Sequence, residues 1–122
     1  MEVLTEEEVK MRMVVDKLTL DLFTPEIRKL ANDANLESNW FLHCFKLFVR
    51  ELIKLEAELK QEENLIMADS TEVFKNIINA IIEYKGIQGF FNIITPLDFG
   101  REPDNYAEIK KQIKNAMRES TN

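Results

Sequence analysis

Residues 38–63 read SNWFLHCFKLFVRELIKLEAELKQEE, and that stretch decides the fold. Apolar side chains fall at Phe41, Phe45, Phe48, Leu52, Leu55 and Leu59, in steps of 4, 3, 4, 3 and 4. Residues three and four apart stack on one face of an α-helix, so these steps draw a continuous apolar seam. Leu42, Val49 and Ile53 widen the seam on one side, and Trp40, Cys44 and Leu47 widen it on the other. A helix that is apolar over most of its circumference must be covered from several directions. The stretch therefore predicts a long central helix over residues 38–63, with Ser38 as its N-cap and its second end between Gln61 and Met67. From Lys54 onward, Glu56, Glu58, Lys60, Glu62 and Glu63 surround a single apolar line. That end is expected to run out into solvent.

The flanking sequence supplies helices to cover it. Thr5 and Glu8 fit a capping box, and Glu6, Glu7 and Glu8 suit the positive end of a helix dipole. Met11, Val14, Val15, Leu18 and Leu22 then share a helical face, although Leu18, Leu20 and Leu22 also alternate as a short strand would. A helix is the better reading, since no second strand is present to pair with. Thr24-Pro25 restarts a helix, with a hydroxyl cap and a proline where no hydrogen bond is lost. Ile27, Leu30, Ala31 and Ala34 form its apolar face, and Asn35, a residue that tolerates left-handed geometry, ends it. Asp69 with Glu72 caps a further helix whose face is Val73, Phe74, Ile77, Ile78, Ile81 and Ile82, closed by Lys85-Gly86. Its β-branched residues lower its intrinsic propensity, so it should depend on burial. Residues 87–104 are expected to be irregular, holding one helical turn or a short extended piece, with a loop beyond Pro96. Asp104 is the expected cap of a last helix, with Tyr106, Ile109, Ile113, Ala116 and Met117 inward.

At 122 residues, with 45% hydrophobic and 31% charged side chains, the chain has enough material for one core. The expectation is an all-α, compact single-domain bundle of four to five helices spanning 1–122, with residues 1–4 and 119–122 frayed. Three glycines and three prolines are too few for a turn-rich β-fold. No apolar run approaches the ~18 residues of a membrane span. No basic region followed by an apolar run opens the chain, so a signal peptide is not expected. Cys44, the single cysteine, excludes an internal disulfide and points to a reducing, cytoplasmic setting. A net charge of −6 opposes non-specific nucleic-acid binding.

Chemistry-bearing motifs are few. There is no phosphate-cradling glycine loop, nucleophile elbow or multi-histidine set, so neither enzymatic activity nor a cofactor or metal is expected. His43-Cys44-Phe45-Lys46, in the middle of a long helix, resembles a histidine phosphotransfer domain. That resemblance implies an exposed phosphoacceptor His43 and a Lys46 that meets the phosphate, on a four-helix bundle. It covers those two residues and departs after Lys46, where the family has glycine and small residues and this chain has Leu47, Phe48 and Val49. The segment 27–42 is similar to a helix-turn-helix, which would present Glu37, Ser38, Asn39 and Leu42 to a DNA groove without a lysine or arginine among them.

The remaining expectation is protein–protein contact, as an adaptor, regulator or chaperone-like factor, with self-association into a homodimer to cover surplus apolar surface. The expected partner surface is Phe90, Phe91, Leu97, Phe99 and Arg101, because Gly89, Pro96 and Gly100 interrupt the regular face there. The competing expectation is that these residues plug one end of the bundle. Lys110, Lys111, Lys114 and Arg118 would form a face for an anionic ligand or acidic partner.

Overall fold

The computed structural model describes residues 3–64 and 69–120. Five helices follow one another among these residues, and no strand interrupts them: α1 (Glu6–Leu22), α2 (Pro25–Asp33), α3 (Ser38–Glu63), α4 (Ser70–Asp98) and α5 (Tyr106–Glu119). Of the ends expected to fray, residues 1–2 and 121–122 lie outside the described residues.

The α3 seam is the centre of the molecule. Phe41, Phe45, Phe48, Leu52, Leu55 and Leu59 are all buried, together with Cys44 and Val49. α4 packs along this helix, α1 lies against both, and α2 and α5 close the remaining sides. The C-terminal end of α3 is exposed as expected, at each of residues 60–64, although α5 lies beside it and reaches its carboxylates. Lys114 reaches Glu58 at 2.9 Å and Glu62 at 3.6 Å, and Arg118 holds Glu63 at 2.8 Å. α3 ends on Asn64 in left-handed geometry, with its N–H bonded to the Lys60 carbonyl.

Three of the expected caps are present: the Thr5, Thr24 and Asp69 side chains accept from the backbone N–H groups of Glu8, Ile27 and Glu72. Two are displaced by one residue. Glu37 caps α3, its carboxylate accepting from the N–H groups of Asn39 and Trp40, while the Ser38 hydroxyl bonds Asn32. A carboxylate competes well there because the helix terminus is positive. At α5 the N-cap is Asn105, in left-handed geometry with no side-chain cap bond, and not Asp104. The capping box is half formed, since the Glu8 side chain turns to Arg50.

The alternation at Leu18, Leu20 and Leu22 belongs to a helix. Two residues advance a helix by about 200°, so Leu18 and Leu22 pack while Leu20 is 83% exposed on the opposite face. Val14 and Leu30, expected inward, are exposed.

The largest departure is at residues 87–104. Gly86, at φ 76° and ψ 169°, ends the first half of α4, but the chain resumes helix at once and continues to Asp98. A Cβ at Gly89 would stand 2.7 Å from the Lys85 Cβ, so glycine allows the two halves to meet closely. Ile87, Phe90, Phe91, Ile94 and Leu97 recur at helical spacing, and that face is what keeps residues 87–98 helical. Pro96 removes only the hydrogen bond to the carbonyl of the exposed Asn92. Irregular backbone is confined to residues 99–105. Phe90 and Phe91 are buried in an aromatic cluster, with Phe90 5.5 Å from Phe48 and Phe91 stacked on Phe41 at 5.6 Å.

Candidate protein-binding surface

At the end of the bundle the N-terminal turns of α3 meet the C-terminal turn of α4. The Asp98 carboxylate, at the last residue of α4, joins them. One oxygen accepts from Trp40 Nε1 at 3.0 Å and the other lies 2.8 Å from His43 Nε2. A carboxylate oxygen accepts only, so a hydrogen bond here needs a proton on Nε2 of His43. Trp40 packs edge-on to Phe91, with centroids 5.2 Å apart, while staying 36% exposed.

Immediately after this clamp the chain leaves the helix through two backbone bonds. Gly100 N–H donates to Leu97 and Arg101 N–H to Pro96, with Gly100 at φ 67°. This is the Schellman arrangement, and it needs a left-handed residue at the position Gly100 fills. The turn sets Phe99 outward at 58% exposure, with the Arg101 guanidinium 5.3 Å from its ring centroid.

The five residues expected to form the partner surface therefore separate. Phe90 and Phe91 lie in the core, Leu97 is half-buried against it, and Phe99 and Arg101 are exposed together. Trp40, His43 and Asp98 complete the surface; Trp40 and Asp98 were not among the expected site residues, and His43 was expected only as a phosphoacceptor. The one sequence signal for Asp98 is a lone carboxylate closing an apolar run; its distance of 55 and 58 residues from His43 and Trp40 hides the pairing.

The expected cationic face is largely engaged within the chain. Lys114 and Arg118 bind the acidic end of α3. Lys110 sits 4.9 Å from the centroid of Tyr106, and Lys111 is exposed. Tyr106 donates its hydroxyl to Glu51 at 2.9 Å, and burial followed by that bond raises its pKa. For Lys114 and Arg118, then, the facing anions are carboxylates of α3.

His43 and Lys46 both face carboxylates. Asp98 occupies Nε2 of His43, and Lys46 lies 3.2 Å from Asp16. A phosphoryl group approaching that nitrogen would meet a like charge. In the 27–42 segment, the Glu37 carboxylate takes the backbone donors at the α3 N-terminus, where a DNA phosphate would otherwise dock. Cys44 is buried, and burial followed by the Asp98 charge pushes its thiol up to about 11, so it stays protonated at neutral pH. Among the described residues no group of three or more His, Cys, Asp or Glu is placed to hold a metal, and no helix is long and apolar enough to cross a membrane.

No protein-family model, curated protein or solved structure matches the chain.

Proposed function

We propose that this protein is a small interaction module, an adaptor or regulator acting by contact, and that it self-associates through the surface of Trp40, Phe99 and Arg101. The observation that carries this reading is Phe99. A large ring stands in water on a turn held by two backbone bonds, backed by Arg101 and beside the Trp40–Asp98–His43 clamp. A ring ordered before binding loses little conformational freedom on contact, and aromatic and arginine side chains carry much of the energy of interfaces.

The composition of the surface supports a second copy as the partner. It holds an aromatic ring, a cation at Arg101 and carboxylates at Asp98 and Glu102 within one short stretch. Two-fold rotation brings each of these within reach of its complement on the other subunit. Phe91 serves the surface from inside, by seating the Trp40 ring. Sedimentation equilibrium at micromolar concentration is the test. Twice the chain mass of 14.3 kDa is expected, and a clean single-chain mass would reject self-association.

A further inference from the structure

A second surface lies between α4 and α5. Its floor is apolar: Ile77, Ile93 and Ile113 are buried there, and Ile81, Ile109 and Ala116 are half-buried. The exposed Tyr84 stands on its edge, at 86% exposure. Two adjoining concavities, of about 360 and 920 Å³, share Tyr84, Lys85, Ile93, Ile109 and Gln112, so the groove is continuous. It runs along α5 from Asn105 to Ala116, about 16 Å at 1.5 Å per residue.

α5 divides its charges about its axis. Lys110, Lys114 and Arg118, spaced by four, share one side, and the last two are drawn to the carboxylates of α3. Glu108, Gln112, Asn115 and Glu119, in steps of 4, 3 and 4, form a different line, with the exposed Lys111 beside it on the side away from the groove. Glu108 and Gln112 line the groove directly, and Asp104 adds a carboxylate at its end. Asp104, Glu108 and Glu119 have no ion pair among the described residues. Among the described residues Lys85 is the one cation lining the groove, and its ammonium lies 5.7 Å from the Tyr84 ring centroid.

We propose that this groove docks a basic amphipathic helix of a partner protein. Apolar anchors at i, i+4 and i+7 span about 10 Å, which the trough accommodates. Lysines or arginines beside the anchors meet Asp104 and Glu108, and Glu119 just beyond the groove's end. The net charge of −6 steers such a partner toward the molecule. The site is distinct from the Trp40–Phe99 surface and does not depend on its role.

The probes are two synthetic amphipathic helices about 16 residues long. They share leucine anchors and differ in carrying lysine or glutamate on the flanks. In protein with isotope-labelled isoleucine methyls, the lysine peptide is expected to shift the resonances of Ile81, Ile109 and Ile113. It should bind at least about tenfold more tightly than the glutamate peptide at low ionic strength. The Glu108→Lys/Glu119→Lys double variant, altered only at exposed positions, is expected to remove most of that preference. Ala80→Trp, which fills the trough from its exposed edge, should abolish the shifts with the melting temperature unchanged. The Phe99→Ala/Arg101→Ala variant should bind the lysine peptide as the wild type does. Equal binding of both peptides, or shifts confined to the Trp40–Phe99 end, would overturn the proposal. So would occupation of the groove by a second copy, seen as concentration-dependent shifts of the same methyls without peptide.

Discussion

Glu8 and Arg50 meet through two parallel hydrogen bonds, 2.6 and 2.8 Å long, that tie α1 to α3. The hydrogen bond from Arg50 holds the Glu8 carboxyl below its ordinary value, and Arg118 does the same for Glu63. A carboxylate depressed in the folded state adds stability above its unfolded pKa, and that stability is lost as pH falls through the folded value. The wild type is therefore expected to lose melting temperature as pH drops below about 4.3. Glu8→Gln should lower the melting temperature at neutral pH and flatten that decline, as read by thermal melts over an acid series. Equal slopes for both proteins would show that the pair is not coupled to folding. The sequence displayed the acidic first turn but not this use of it. A capping box and a long-range ion pair need the same residue, and the bidentate guanidinium is the stronger partner. At the α3 cap the carboxylate instead keeps the backbone donors, and the Ser38 hydroxyl turns to Asn32. Asp98 was hidden for a related reason, because local spacing says nothing of what a side chain meets 58 residues away.

α4 is the element that sequence patterning misassigns. Gly86 and Pro96 are helix breakers by rule, and the first does break the helix. Yet the face formed by Phe90, Phe91, Ile93 and Ile94 buries enough apolar surface to restart it one residue later. Packing overrides propensity there, whereas at α2 and α3 the two agree and the boundaries were legible from Thr24, Asn35 and the seam. Gly86→Ala should destabilise the protein by about 1 kcal/mol or more, because a side chain is strained at φ 76° whatever space surrounds it. Urea denaturation measures this, and a neutral or stabilising result would mean that the kink is dispensable. The α1 alternation carries a related lesson. A helix with apolar residues on opposite sides mimics a strand, and only the pairing strand's absence distinguishes them.

In the whole molecule the aromatic residues divide between two roles. Phe41, Phe45, Phe48, Phe90 and Phe91 form the cluster that joins α3 to α4, while Phe99 stands outside it. Phe45→Ala and Phe48→Ala should each cost on the order of 3 kcal/mol or more, as large-to-small changes in packed cores do. A loss below about 1 kcal/mol in chemical denaturation would place the seam outside the core. The bundle and its central helix were readable from residue spacing. Which of Phe90, Phe91, Phe99 and Arg101 plug the bundle and which stand outside it was left open, because periodicity cannot rank apolar faces by depth. The most direct measurement is sedimentation equilibrium paired with a thermal melt on the Phe99→Ala/Arg101→Ala variant. A self-associating module working through this surface predicts that the wild-type dimer becomes a single chain while the melting temperature of that chain is nearly unchanged. A strongly lowered melting temperature, or a dimer that persists in the variant, would contradict it.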